Sequence, residues 1–174
     1  VSTQNRFEAL ERKEEELNLL ESLRPSLNAV QEEPSKLAVV LDSGAADHVA
    51  DRSAAKGYRV QESAGSKRGE GYLAANGERI ANEGQMTLSL VGNSQAGALD
   101  IRSTFQVART NRPLWSVGKI CDAGYTVVFD AGHATVHNAV TGREVCVFER
   151  VNGLYATVLD LKPEEGEPFH RQGA

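Results

Sequence analysis

Asp42, Ser43 and Gly44 are the residues whose types and order are best suited to chemistry in this chain. They follow an apolar run, residues 37–41, that is typical of a buried strand. A carboxylate at the end of such a strand is costly unless a neighbour shares or solvates its charge. Ser43 adds a hydroxyl that can hydrogen-bond, and Gly44 lets another backbone or a ligand approach closely. With Ala45, the tetrapeptide fits either a carboxylate site or an ordinary turn that ends a strand.

Other groupings favour chemistry less strongly. His133 and His137 lie four residues apart, near Asp130, so a strand would place both imidazoles on one face, but no third ligand is evident. We therefore expect no metal site and no cofactor. His48 follows the Asp-Ser-Gly motif closely, and we expect it to pack or hydrogen-bond rather than catalyse. A serine hydrolase is disfavoured because the chain has no Gly-x-Ser-x-Gly elbow.

Composition describes an ordinary globular protein of about one domain. The 174 residues are 40% hydrophobic and 25% charged, with a net charge of −5. Residues 1–33 hold eight acidic and four basic side chains, and no basic stripe supports direct nucleic-acid binding. No apolar run approaches the roughly 20 residues of a membrane-spanning helix, so no transmembrane segment is expected.

The two cysteines, Cys121 and Cys146, are too few and too far apart for a zinc ribbon or a disulfide framework. We expect both thiols to be buried as small hydrophobic groups. This usage fits a reducing compartment, cytoplasmic or nuclear by default.

The chain divides into four segments by pattern. Residues 4–23 predict an amphipathic helix that stops at Arg24-Pro25, followed by a linker with two prolines. The predicted organisation is an N-terminal helix and linker over 1–36, a core over 37–130, a C-terminal β extension over 131–160 and a flexible acidic tail over 161–174.

Strand signals dominate from residue 37 onward. Asn76-Gly77 between two strand-like runs predicts a hairpin with a type I′ turn, and residues 85–91 alternate polar and apolar as a half-buried strand does. Helical spacing over 111–124, with Pro113 in the first turn and Gly124 as the cap, predicts one short internal helix. Further strands are predicted at 58–60, 99–107, 125–129, 134–138, 144–148 and 154–159. The expected fold is mainly β, and the pattern favours a small antiparallel barrel or a folded sheet.

Three segments in this order resemble a retropepsin-like aspartic protease of copia-type long-terminal-repeat retrotransposons. Residues 42–49 resemble the active-site signature, in which Asp-Ser-Gly-Ala runs on to a polar-His-hydrophobic end. Ala75-Asn76-Gly77, with Gly84 after it, lies where the family has a flap hairpin. Residues 113–125 are similar to the segment before the last core strand, and residues 136–155 to the start of the stretch that leads to integrase.

The resemblance implies a retropepsin-like closed antiparallel barrel with a C-terminal β-hairpin extension. It also implies an endopeptidase that processes a polyprotein with a water held between two carboxylates. The chain has one Asp-Ser-Gly and no second copy, so each subunit of a homodimer would supply half of the dyad. Asp42 would activate the water and protonate the leaving amine, Ser43 would hydrogen-bond across the two-fold axis, and Gly44 would accept substrate backbone. Ala45 and the flap residues Asn76 and Gly77 would contact and cover the peptide, and residues 125–129 would pair between subunits.

A different class of function stays open. The same fold can serve as a catalytically inactive, host-adopted scaffold in a larger complex, contacting other subunits through the N-terminal helix and the tails. Two copies with facing Asp42 carboxylates favour the protease, and one copy embedded among other proteins favours the scaffold.

Overall fold

The computed structural model describes residues 35–164. Its strands are β1 Lys36–Asp42, β2 Val49–Ala50, β3 Gly71–Leu73, β4 Arg79–Ala81, β5 Gly84–Gly92, β6 Leu99–Val107, β7 Leu114–Ser116, β8 Tyr125–Phe129, β9 His133–Asn138, β10 Glu144–Val151 and β11 Leu154–Leu161. A 3-10 turn spans Arg52–Ala54, and two short helices follow, α1 Ala64–Lys67 and α2 Val117–Asp122. The predicted helix over 4–23 lies outside the described residues, as does most of the predicted tail.

Six strands close into a barrel. The main sheet has the order β1-β7-β2-β6-β5-β11-β10-β9-β8, and a further pairing of β1 with β11 closes the ring through β5. This confirms the mainly β fold with a closed barrel. The prediction that all its strands are antiparallel was wrong, because β1 runs parallel to β7 and β2 runs parallel to β6. Both parallel neighbours are distant in sequence, and strand patterns alone do not show their direction.

The core fills the barrel with side chains from alternate positions. β5 buries every second residue along its nine positions, as its predicted alternation requires. The apolar run before Asp42 is confirmed as a buried strand, with Leu37, Val39 and Val40 at most 3% exposed. Trp115 packs in the same core, where its indole N–H donates to the Ser103 hydroxyl at 3.1 Å. The barrel therefore holds β1 rigidly up to the residue that carries the carboxylate.

Strands β3 and β4 form a separate two-stranded hairpin. Its existence confirms the prediction from Asn76-Gly77, but its turn is not type I′, because Gly77 has a φ of 84° while Asn76 does not have a positive φ. A hydrogen bond of 2.9 Å from the Gly77 N–H to the Ala74 carbonyl closes the turn. Both residues of Asn152-Gly153 have positive φ, which is the combination that a type I′ turn needs.

Three further local predictions were wrong. The segment 111–124 is helical only from Val117, because Leu114–Ser116 instead forms β7 beside β1. Residues 58–60 form no strand, and the chain makes a single bridge from Gln61 to Gln85 there. The prediction of one short internal helix was also wrong, because a capping box at Ser63 starts a second short helix, α1.

Within residues 35–164, no helix is both long and apolar enough to cross a membrane.

Candidate functional site

Asp42 is the last residue of β1 and begins a loop, residues 42–48, which we call the Asp42 loop. The parallel pairing of β1 with β7 places Asp42 beside Ser116, at the start of α2. The Asp42 carboxylate is half-buried, and its Oδ1 accepts the Gly44 backbone N–H at 2.7 Å. A Cβ at Gly44 would lie 3.3 Å from the same oxygen, so the tight approach favours glycine. A buried strand thus delivers one fixed, partly solvated carboxylate.

Ser116 holds the Asp42 loop in place, a role that the sequence interpretation missed. Its side chain is fully buried, and its hydroxyl donates to the Ala45 carbonyl at 2.7 Å. The same oxygen accepts the Lys119 N–H at 3.2 Å, which caps α2. The Ser116 N–H donates to Nδ1 of His48 at 3.0 Å. A serine directly before a helix is a capping signal, but only the tertiary structure shows that it also anchors this loop.

His48 packs and hydrogen-bonds, as expected from its position. Its ring lies 5.4 Å from that of Phe105 and 6.2 Å from that of Trp115, measured between centroids. Burial lowers its pKa to about 4; the Asp47 carboxylate opposes this shift, and the Lys119 ammonium adds to it. The imidazole is therefore neutral near pH 7, which leaves Nδ1 free to accept from Ser116.

Within the described residues, the hairpin, residues 71–81, makes one hydrogen bond to the Asp42 loop. Tyr72 of β3 donates its hydroxyl to Asp47 Oδ2 at 3.3 Å. The other oxygen of Asp47 lies 3.6 Å from the Lys119 ammonium. Asn76 and Gly77, the predicted flap residues, lie at the exposed tip of the hairpin and do not line the cavity beside Asp42.

An open groove of about 570 Å³ adjoins the carboxylate, and we call it the Asp42 groove. Its lining is largely apolar and comes from β1, β7, the end of β8 and the β10–β11 turn, namely Val40, Leu41, Asp42, Ser43, Arg112, Leu114, Phe129, Gly153, Leu154 and Tyr155. Among these described residues, Asp42 is the only acidic one. One chain therefore offers a carboxylate at the edge of an apolar groove, with no second carboxylate lining it.

The remaining candidate groups have ordinary structural roles. Asp130 accepts the N–H groups of Gly132 and His133 at a turn, and Nε2 of His137 lies 2.9 Å from the Thr135 hydroxyl. Across residues 35–164, no three His, Cys, Asp or Glu side chains are grouped to hold a metal ion.

The cysteine prediction was half wrong. Cys146 is buried, and burial raises the pKa of its thiol to about 11. Cys121 is exposed, because it lies on the outer face of α2.

Comparison with known proteins adds no family: no protein-family model, no curated protein and no solved structure matches this chain.

Proposed function

We propose that the chain is one subunit of a retropepsin-like aspartic endopeptidase, of the kind that processes a copia-type retroelement polyprotein. The observation that carries this proposal is the placement of Asp42. A buried strand ends in a half-buried carboxylate that is fixed by the Gly44 N–H, and the loop that follows is tied to a parallel neighbouring strand and its helix. This geometry supports a carboxylate that is held in position yet reachable by water and a peptide.

The proposed enzyme is a homodimer because hydrolysis of this type needs two carboxylates around one water. Two carboxyl groups that contact the same water cannot both be ionised, so the pair shares one proton and provides both a base and an acid. The sequence has a single Asp-Ser-Gly, and the Asp42 groove has no other acidic side chain in its described lining. The second carboxylate is therefore Asp42 of a second copy.

The free edge of β8 supports this dimer. β8 is the last strand of the main sheet, with β9 on one side and no strand of the described chain on the other. Val128 and Phe129 on this strand are 51% and 43% exposed, and Phe129 also lines the Asp42 groove. An edge with exposed apolar side chains is suited to pair with a second copy. Such pairing joins the dimer surface to the groove beside the carboxylate.

Within the dimer the residues have separate roles. The ionised Asp42 takes a proton from the water as it attacks the peptide carbonyl, and the protonated Asp42 of the other copy stabilises the developing oxyanion. The proton then passes to the leaving amine. Ser43 hydrogen-bonds across the two-fold axis, and the backbone at Gly44 and Ala45 binds the extended peptide. The hairpin, with Asn76 and Gly77 at its tip, closes over the peptide and excludes water.

The proposal is tested by cleavage of an unstructured peptide library with the full 174-residue chain. Asp42→Asn removes both carboxylates of the dyad, because each copy supplies one, so we expect cleavage to fall by about 10²–10⁴-fold or more. Cleavage by the unchanged protein should also be blocked by a hydroxyl-containing mimic of the tetrahedral intermediate. Asp122→Asn is the matched control, because Asp122 is exposed at the end of α2.

Two results would contradict the proposal. One is cleavage that persists in Asp42→Asn at the level of Asp122→Asn. The other is a well-folded protein that cleaves no member of the library, which would favour the inactive scaffold instead.

A further inference from the structure

Asp47 lies where three separate elements meet. It belongs to the Asp42 loop, five positions after the carboxylate, and both of its oxygens are engaged. Tyr72 of β3 binds one oxygen, and Lys119 of α2 binds the other at 3.6 Å. Asp47 therefore connects the hairpin to the helix that also anchors the loop through Ser116.

The chemistry of the Tyr72 contact fixes its direction. Burial, followed by the charge of Asp47, raises the pKa of the Tyr72 phenol above its ordinary value, so the hydroxyl stays protonated and donates. An ionised carboxylate can only accept, and hydrogen bonds of this charged kind are stronger than neutral ones. The Lys119 ammonium lies 3.6 Å from the other oxygen of Asp47, so a positive charge faces this carboxylate. The three groups are thus complementary in charge and in hydrogen bonding.

The base of the hairpin is anchored to β6 by the Asn82 amide on Gln106 Oε1 at 2.9 Å and by the Glu83 N–H on the Val107 carbonyl at 2.8 Å. The placement of residues 71–81 over the Asp42 loop depends on contacts farther along the hairpin. The hairpin forms a sheet of two short strands apart from the barrel, and a two-stranded hairpin alone is marginal in water. Its outward side chains are exposed, with Leu73 at 77%. The Arg79 guanidinium donates to the Gly69 carbonyl at the base of the same hairpin. In the described chain, the Tyr72–Asp47 contact is the one hydrogen bond from residues 71–81 to the Asp42 loop.

We propose that Tyr72 is a positioning residue that holds the hairpin against the Asp42 loop through its hydrogen bond to Asp47, an arrangement we call the latch. Lys119 orients the Asp47 carboxylate so that it accepts this hydrogen bond. The inference rests on the proposed function, in which a peptide passes between the hairpin and Asp42. A latch at the base of the hairpin sets how its tip is placed over that peptide. Tyr72 touches no reacting atom, so its loss weakens peptide binding more than it slows the chemical step.

Tyr72→Phe tests the latch by removing one hydroxyl while keeping the ring. We expect hydrogen exchange of the Ala74 and Gly77 amides, which close the hairpin turn, to accelerate by about fivefold or more, as the loss of one charge-assisted hydrogen bond predicts. Asp47→Asn should give a similar acceleration, and combining both changes should add little, because both break the same contact. In the cleavage assay KM should rise by about fivefold while kcat changes less than twofold.

Tyr58→Phe is the matched control. It removes another tyrosine hydroxyl that is hydrogen-bonded, to the Lys162 carbonyl, away from the Asp42 loop. It should leave both the exchange of the hairpin amides and KM unchanged.

The exchange and kinetic measurements separate this inference from the proposed function. Unchanged exchange at Ala74 and Gly77 in Tyr72→Phe would overturn the latch, whether or not the protein is a peptidase. Faster exchange with an unchanged KM in an active enzyme would also overturn it, since the hairpin would then not position the peptide. If the unchanged protein cleaves nothing, the proposed function fails, and the exchange measurement alone still decides whether Tyr72 holds the hairpin.

Discussion

Ser116 is the residue on which the shape of the Asp42 loop most depends. Its hydroxyl binds the Ala45 carbonyl and its backbone N–H binds Nδ1 of His48, so Ser116 holds the Asp42 loop at two points. The sequence identifies Asp42 as the candidate carboxylate because an acid rarely ends a buried apolar run without reason. It does not identify Ser116, because a serine before a helix is equally common where it only caps that helix. The difference is a contact between residues 71 positions apart, which no local pattern contains.

His48 gives the loop a defined dependence on pH. Its pKa is about 4 in the folded chain against an ordinary value of 6.5, so between these values the unfolded chain binds a proton that the folded chain does not. The free energy of unfolding should therefore fall as the pH falls through this window. Protonation of Nδ1 would also cost the hydrogen bond from Ser116.

This pH dependence can be measured by urea unfolding at about pH 7.5 and about pH 4.5, followed by the fluorescence of Trp115, the single tryptophan. We expect His48→Gln to lose less stability on acidification than the unchanged protein does. His133→Gln is the control, because the side chain of His133 is 58% exposed. An equal loss in His48→Gln and in the unchanged protein would show that His48 is not responsible.

Strands with a clear alternation of polar and apolar residues were predictable from the sequence. Strands that form by pairing with residues far away in the sequence were not. The alternation over 85–91 predicted β5 because one face of that strand is buried throughout. Leu114, Val117 and Ile120 have helical spacing, yet Leu114–Ser116 is a strand because it pairs with β1 and β2. Three residues are too few to show a period, so tertiary pairing overrides local propensity there.

Strand β8 carries a prediction for assembly. If its free edge pairs with a second copy, a charge on that edge should oppose the pairing without unfolding the barrel. We expect Val128→Lys to weaken the dimer by about tenfold or more in Kd, as measured by sedimentation equilibrium. Val140→Lys is the matched control, because this valine is 93% exposed in the turn after β9, beside the start of β8 but not part of that strand. Equal dissociation constants for the two variants would contradict a dimer through β8.

Closure of the barrel joins parts of the chain that the sequence suggested were separate. The pattern predicted a core over 37–130 and an extension over 131–160, but β11 lies between β1 and β5 and completes the ring. Leu159 and Leu161 are accordingly buried in the same core as Leu37 and Leu88. Alternation and turn signals were enough to predict a mainly β fold, either a small barrel or a folded sheet. The order of strands was not predictable, because the pairings of β11 with β1 and with β5 span a large sequence separation.

In the proposed enzyme, each active site takes one Asp42 from each of two chains. This sharing can be measured by mixing the unchanged protein with Asp42→Asn at a fixed total concentration and allowing the subunits to exchange. With equal amounts of each, random pairing leaves about a quarter of the dimers with two carboxylates, so we predict about a quarter of the original activity. About half of the activity would remain if each chain worked alone, and that result would contradict the account.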